Sequence, residues 1–291
     1  MRGLAALLRC PRCNAAETLD GSAVCERGHA YAVVDGIPVF VDDASVAGND
    51  QYTAQRAYFD SEFQAYDHYA LENWRVAYLK RLRAAELLHG DTPLVDVGVG
   101  GSGYTVIEAA RAGRPAVGCD LSLAGLRSAR RFAAAEGVLD RTLWVCCSAE
   151  RLPLASGAFG SALAIAVLEH VPDDAAAWRE LARVLRPGGL AWVTVPHALE
   201  HVPRALRRAN RRHDRRMGHL RRYDAETLAA AATAAGLQPV ELQFTGHAVK
   251  VLQFLAGRFS DALWWWCERR DQRRHTTRRG SMQLSAVFAR P

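Results

Sequence analysis

Two sets of residues have the types and spacing to do chemistry. The first is Cys10-Pro11-Arg12-Cys13 followed by Cys25-Glu26-Arg27-Gly28-His29. Three thiols and an imidazole in two tight pairs suit a tetrahedral structural zinc, with Cys10, Cys13, Cys25 and His29 as ligands. Four protein ligands leave no open position, so such an ion would hold structure and take no part in catalysis. The second set is Asp96-Val97-Gly98-Val99-Gly100-Gly101-Ser102-Gly103, preceded by apolar Leu94-Val95 and followed by a helical pattern. Glycines in such a turn admit close backbone approach to a ligand, and the following helix amides can face a polar group. Asp120 ends the next apolar run, about 20 residues on, where a carboxylate can accept both hydroxyls of a ribose. That pair fits an adenosine cofactor, NAD included.

The downstream residues narrow the choice. Ser148-Ala149-Glu150-Arg151-Leu152-Pro153 follows the third apolar run, Ala166-Val167-Leu168-Glu169-His170-Val171 ends the fourth, and Leu185-Arg186-Pro187-Gly188-Gly189 precedes the fifth. Over about residues 93–197 the chain resembles the class I methyltransferase family, which uses S-adenosylmethionine. Its members read Asp-x-Gly-x-Gly, an acid after the second strand, Asp-Ala-Glu-x-Leu-Pro, Leu-Glu-His-Val and Leu-Arg-Pro-Gly-Gly in this order. The resemblance implies that Asp96, Gly98 and Gly100 line the methionine part of the cofactor and that Asp120 holds the ribose. It further implies that Leu121 stacks on the adenine, that Ser148 and Ala149 flank its edge, and that Val167 and Leu168 lie beside the transferred methyl. The chain departs from the family pattern twice: Ser148 stands where an Asp is usual, and Ser102 displaces or replaces the third glycine.

The acceptor side rests on a second resemblance. Gly218-His219-Leu220-Arg221-Arg222-Tyr223 is similar to the Gly-His-x-Arg-x-Tyr segment of methyltransferases that often act on sugars, lipids or secondary metabolites. His219 could serve as general base because an imidazole titrates near neutrality. Its structural alternative is a capping or packing role. His170 and Glu169 are the other candidate catalytic groups, with helix packing or cofactor support as their alternative. The chemistry implied is in-line displacement at the sulfonium methyl, driven largely by positioning. A small-molecule metabolite, natural product or sugar-type acceptor is the leading expectation. RNA is the second, because the Cys-Pro-x-Cys ribbon resembles the zinc site of bacterial 23S rRNA guanine methyltransferases. The nine arginines between 204 and 222 could hold phosphate, although no aromatic interleaves them for base stacking. A non-catalytic scaffold protein with the same fold is the third.

These residues need elements to position them. Apolar runs alternate with helical patterns from residue 93 onward, the rhythm of a parallel α/β sheet whose strand ends share one edge. The expected class is α/β: a Rossmann-like methyltransferase sheet with an N-terminal zinc ribbon and a helical substrate cap. Residues 1–42 read as the ribbon and 43–89 as a linker, near 43–51, plus aromatic-rich helices. Residues 90–291 read as the methyltransferase domain, with an insertion near 198–224 and an apolar helix near 248–268. In that last stretch Val251, Leu252, Leu255, Phe259, Leu263 and Trp266 share a helical face, expected to pack as a lid or homodimer face. The charge of +6 in 291 residues comes almost wholly from arginine, since Lys80 and Lys250 are the only lysines. That is what GC-rich codon usage produces, so charge alone argues weakly for nucleic acid. No secretory signal and no membrane-span-length apolar run is evident, and the seven cysteines form no disulfide framework, so a reducing cytoplasm is expected.

Overall fold

The computed structural model describes residues 2–41, 50–64, 66–202, 204–247, 249–256 and 259–291. After helix α1 (Arg2–Ala5), strands β1 (Glu17–Asp20), β2 (Ser22–Cys25) and β3 (Ala30–Tyr31) form an antiparallel ribbon. Strands β4 (Val33–Val34) and β5 (Ile37–Pro38) close a hairpin. Its two turn residues, Asp35 and Gly36, both have positive φ (52° and 75°), the twist a tight hairpin favours. The ribbon does not stand apart. Leu4, Leu8, Ala23 and Phe40 are buried in the main core. The amides of Arg9 and Phe40 donate to the carbonyls of Pro153 and Cys146. The ribbon thus draws order from the main core as well as from any metal it binds.

Helices α2 (Asp50–Gln64) and α3 (Asn73–Ala84) follow. Of the linker read over 43–51, residues 43–49 lie outside the described residues, and Asp50 and Gln51 already belong to α2. The helical pattern over 52–89 is thus split, with α3 starting afresh after the extended Glu72 (ψ 155°).

Short apolar runs then build one sheet: β6 (Leu94–Val97), β7 (Ala116–Asp120), β8 (Thr142–Cys146), β9 (Phe159–Ile165) and β10 (Leu185–Pro196). Helices α4 (Tyr104–Arg111), α5 (Leu123–Ala135) and α6 (Asp174–Val184) connect them. After α7 (Arg204–Met217) and α8 (Ala225–Ala234) come β11 (Gln238–Thr245), α9 (Val249–Ala256), α10 (Asp261–Gln272) and β12 (Gln283–Ala289). The sheet order is β11-β12-β10-β9-β6-β7-β8, and only β12 runs against the rest. Side chains alternate between faces, so Val95 and Val97 enter one core cluster and Leu94 the other. Both faces are covered, which is why the strands read as continuous apolar runs. The chain winds outward from β6 to β8, then returns to place β9 on the other side of β6. The crevice beyond the carboxyl ends of β6 and β9 is therefore the switch point at which open α/β sheets bind ligands.

Two further boundaries differ from the sequence reading. Leu185–Gly189, read as preceding the fifth apolar run, opens β10: Leu185 pairs with Phe159 before a register shift to Leu190 opposite Ser161. The stretch 248–268 is two helices, because the Ser260 hydroxyl accepts the Leu263 amide and starts α10 anew. Leu252, Leu263 and Trp266 stay exposed, and Phe259 most of all at 88%. The side chains of Val251 and Leu255 lie outside the described residues.

Candidate cofactor and acceptor site

Strand β6 delivers Asp96 and Val97, and the chain then turns at Gly98 (φ 74°), where an added Cβ would lie 2.3 Å from Val167 Cγ2. Only glycine fits both the left-handed backbone and that contact. The amides of Gly98 and Val99 donate to the Cys119 carbonyl at 2.8 and 3.1 Å, tying the loop to β7. The glycine needed just before the helix is Gly103, which caps α4 at φ 58°, and Ser102 is buried beside it.

Two carboxylates close the crevice. Asp120 Oδ2 accepts the Gly100 amide at 2.8 Å and Oδ1 the Ser122 amide at 2.9 Å. Burial raises its pKa, and those amides oppose the rise. Asp96 is 3% exposed and accepts the Thr105 hydroxyl on Oδ2, while its Oδ1 is buried with no partner among the described residues. Burial pushes this carboxyl up to about 7 against the Thr105 hydrogen bond, with the Asp120 charge adding to the rise. Together the crevice encloses a cavity of about 420 Å³ whose wall includes Asp96, Gly98, Gly100, Asp120, Leu121, Ser148, Ala149 and Val167. These are the cofactor-contacting residues expected from sequence; Leu168 is buried and is not part of the wall.

The roof was not foreseen. Helix α2 lays Tyr52, Phe59 and Phe63 along the cavity. Tyr52 Oη lies 2.9 Å from Ser148 Oγ, which also accepts the Glu150 amide at 3.1 Å. Ser148 thus holds the position of the family Asp as part of a hydroxyl pair. Phe59, Phe63 and Tyr66 stack in succession at 5.5 and 5.9 Å. Arg75 of α3 lines the same space, buried, bonded to the Ala70 carbonyl at 2.7 Å and lying 4.9 Å from the Trp74 ring, with Nε unpartnered among the described residues. The only advance signal was the i, i+4 spacing of Phe59 and Phe63.

The acceptor candidates come from the end of β9 and from the insertion. The strand stops at Ile165, because Ala166 takes φ 56°. Val167 and His170 line the cavity, whereas Glu169 turns inward at 1% exposure. Burial pushes Glu169 up to about 8, with its own amide and Arg222 opposing. Burial lowers His170 to about 4 and nearby His219 adds to the fall. Helix α7 and the return to Tyr223, which bridges to His197 at the end of β10, carry His219 in from the other side. His219 does not line the cavity. It faces an adjoining groove shared with Asp214, Arg221 and Arg222. Its Nδ1 lies 2.8 Å from Asp214 Oδ1, and its ring is 4.7 Å from that of His170. Burial lowers the His219 pKa, although Asp214 pulls the other way. Arg222 grips Asp214 at 2.8 and 2.7 Å, and Arg221 donates to the carbonyls of Val171 and Pro172. Arg207, Arg221 and Arg222 therefore hold the fold, while Arg204, Arg208, Arg211, Arg212, Arg215 and Arg216 are exposed.

In the ribbon, Cys10, Cys13, Cys25 and His29 converge, with one ligand atom of each within 4.8 Å of the others. Cys13 Sγ and Cys25 Sγ are 3.7 Å apart, and His29 Nδ1 lies 3.4 and 3.5 Å from Cys10 Sγ and Cys25 Sγ. A tetrahedral ion with zinc–sulfur bonds of about 2.3 Å spaces its thiolates about 3.8 Å apart, so the donor set and its spacing fit zinc. Burial raises the Cys10 thiol, but Tyr31 and the backbone of Arg12 and Cys13 outweigh it and hold the pKa near 6.

Comparison with known proteins agrees with this geometry. Residues 95–193 match the family described as "Methyltransferase domain". Methyltransferase GfsG of Streptomyces halstedii is 34% identical over 116 residues, covering 39% of this chain and 42% of that protein. A ubiquinone biosynthesis O-methyltransferase of Parvibaculum lavamentivorans is 36% identical over 104 residues, covering 35% of this chain and 40% of its own. The chain thus spans about two fifths of the length of these relatives. In three dimensions it is similar to geranyl diphosphate C-methyltransferase from Streptomyces coelicolor, with a TM-score of 0.58 at 17% identity, covering 84% of this chain and 99% of that one. This likeness shows a shared fold. Among the described residues, no helix is long and apolar enough to cross a membrane.

Proposed function

We propose that the chain is an S-adenosylmethionine-dependent methyltransferase acting on a small organic acceptor. The observation that carries this reading is the buried, half-unpartnered carboxylate of Asp96 facing the same cavity as Asp120. An ionised Asp96 suits a cationic ligand, and Asp120 stands where a ribose would be held. Arg75, buried and with its Nε–H unpartnered among the described residues, would take the carboxylate of the methionine part. Leu121 would pack on the adenine, and Ser148 and Ala149 would border its edge. When bound, the cofactor supplies an electrophilic sulfonium methyl. The residues of this chain then orient it and keep water out: Val167 walls the reacting end, and Phe59 and Phe63 cover the cavity. His170 lines the cavity where the acceptor would sit, and Glu169 and His219 stand behind it.

The roof over the cavity favours a small acceptor over a duplex or folded RNA, which would need an open groove. The name of one relative points the same way, an O-methyltransferase of ubiquinone biosynthesis. The ribbon's four ligands hold a structural zinc in this reading. Transfer of isotope-labelled methyl from the cofactor, scored separately in solvent-extractable metabolites and in ribosomal RNA, tests the proposal. Label in the extract, absent with Asp120→Ala, is expected. Label in RNA with a steep salt dependence of binding would overturn the acceptor class.

A further inference from the structure

Glu169, His170 and His219 present one ligand-capable atom each, all within 4.8 Å of one another. Two of the three residues carry buried atoms without a hydrogen-bond partner among the described residues: Glu169 Oε2 and His170 Nδ1. Nearly all buried polar atoms have partners, and leaving one unmet costs about 1–3 kcal/mol. The three groups meet as electron-pair donors. His170 Nδ1 meets no acceptor among the described residues, so the tautomer protonated on the other nitrogen leaves a lone pair there. His219 has its Nδ1 against Asp214 Oδ1, which leaves a lone pair on its other nitrogen. One cation can accept a lone pair from each of the three at once.

We propose that Glu169, His170 and His219 bind a divalent transition-metal cation such as Zn2+, separate from any ion in the ribbon. Two imidazoles and a carboxylate suit this class of metal. The surroundings supply what such a site requires. Asp214 orients His219, and Arg222 holds Asp214 in turn, the outer carboxylate–histidine arrangement that fixes metal-bound imidazoles. The ion joins the end of β9 to the insertion, two segments already tied by the Leu220 amide to the Glu169 carbonyl at 2.8 Å. Three protein ligands leave a coordination position open, and His170 lies on the cavity wall, within reach of an acceptor. There the ion would lower the pKa of an acceptor hydroxyl. The hydroxyl proton leaves to solvent, the new O–CH3 bond forms as the S–CH3 bond breaks, and the sulfonium becomes a neutral thioether. This catalytic role rests on the methyltransferase reading; the binding of the ion does not. His219 then acts as a ligand and not as a free base.

The test is metal content of the full chain after chelation, reloading with Co2+ and removal of excess, read by elemental analysis and visible absorption. Calorimetric S-adenosylmethionine binding is measured on the same samples. Glu169→Gln and, independently, His219→Ala should each remove one metal equivalent relative to the unaltered chain. Both should keep the sulfur-to-cobalt band that belongs to the ribbon, and both should still bind the cofactor. Cys13→Ser should show the converse loss. Equal metal content in the unaltered chain and in a folded Glu169→Gln or His219→Ala variant overturns the proposal. Failure of the unaltered chain to bind S-adenosylmethionine overturns the methyltransferase reading whatever the metal count.

Discussion

Asp96 makes cofactor affinity depend on pH in a calculable way. In the empty protein, burial and the Asp120 charge hold its carboxyl at about 7, opposed by the Thr105 hydroxyl. Binding a cationic ligand requires the ionised form, so part of the binding energy is spent removing that proton. With a pKa of about 7, roughly a tenth of the sites are ionised at pH 6 and about half at pH 7. Apparent affinity for S-adenosylmethionine should therefore rise about fivefold over this interval, equivalent to about 1 kcal/mol. The rise should flatten above pH 7, where Asp96 is mostly ionised and the ligand's own α-amino group, with a reference pKa of about 7.7–8.0, begins to lose its proton. Titration calorimetry at pH 6 in buffers of different ionisation enthalpy should count close to one proton released per ligand bound. Asp96→Asn should bind more weakly and lose most of the pH slope. Affinity that is flat from pH 6 to 7, or an Asn variant with the same fivefold rise, would refute the reasoning.

Other consequences follow from particular contacts. Gly98→Ala combines a left-handed backbone with a Cβ 2.3 Å from Val167 Cγ2. It should cost about 2–4 kcal/mol in urea unfolding, and a second change, Val167→Ala, should restore about 1–2 kcal/mol of that but not the backbone strain. Purely additive losses would show that the two residues do not touch. Burial alone would raise Glu268 of α10, but Lys250 and Arg81 outweigh it and hold the carboxyl near 2. A depressed folded pKa adds stability above the unfolded value, and that stability drains away as pH falls from about 4.3 towards 2. The unaltered chain should thus lose about 3 kcal/mol more than Glu268→Gln across that window, and parallel acid unfolding curves would contradict it. Chelation at neutral pH should lower the thermal midpoint through the ribbon's Cys10, Cys13, Cys25 and His29 without full unfolding, because Leu8 and Phe40 remain in the main core. An unchanged midpoint would count against zinc.

The cofactor side was largely legible in the sequence because its contacts are local. Loop, strand end and acid each lie where one strand stops, so motif order alone brought Asp96, Gly98, Asp120 and Val167 to one cavity. The roof was not legible. Tyr52 meets Ser148 across 96 residues of chain, and a helical period does not say which distant surface its aromatic face will cover. The ribbon's attachment was hidden for a similar reason. Leu8 bridges to Leu154 and the Phe40 amide reaches the Cys146 carbonyl at the β8 edge, contacts that no spacing announces. Glu169, His170 and His219 could be named singly as candidates. Their meeting depends on how Arg221 and Arg222 fold the insertion back over the end of β9, a path set by carbonyl partners far away in sequence and by the nearby carboxylate of Asp214.

The central claim is that the crevice beyond the carboxyl ends of β6 and β9 holds S-adenosylmethionine. Calorimetric titration of the full chain tests it most directly. One site per chain with micromolar affinity, competed by S-adenosylhomocysteine and abolished by Asp120→Ala in a folded variant, is the predicted result. No saturable binding at millimolar cofactor, or unchanged affinity in the Asp120→Ala variant, would contradict it.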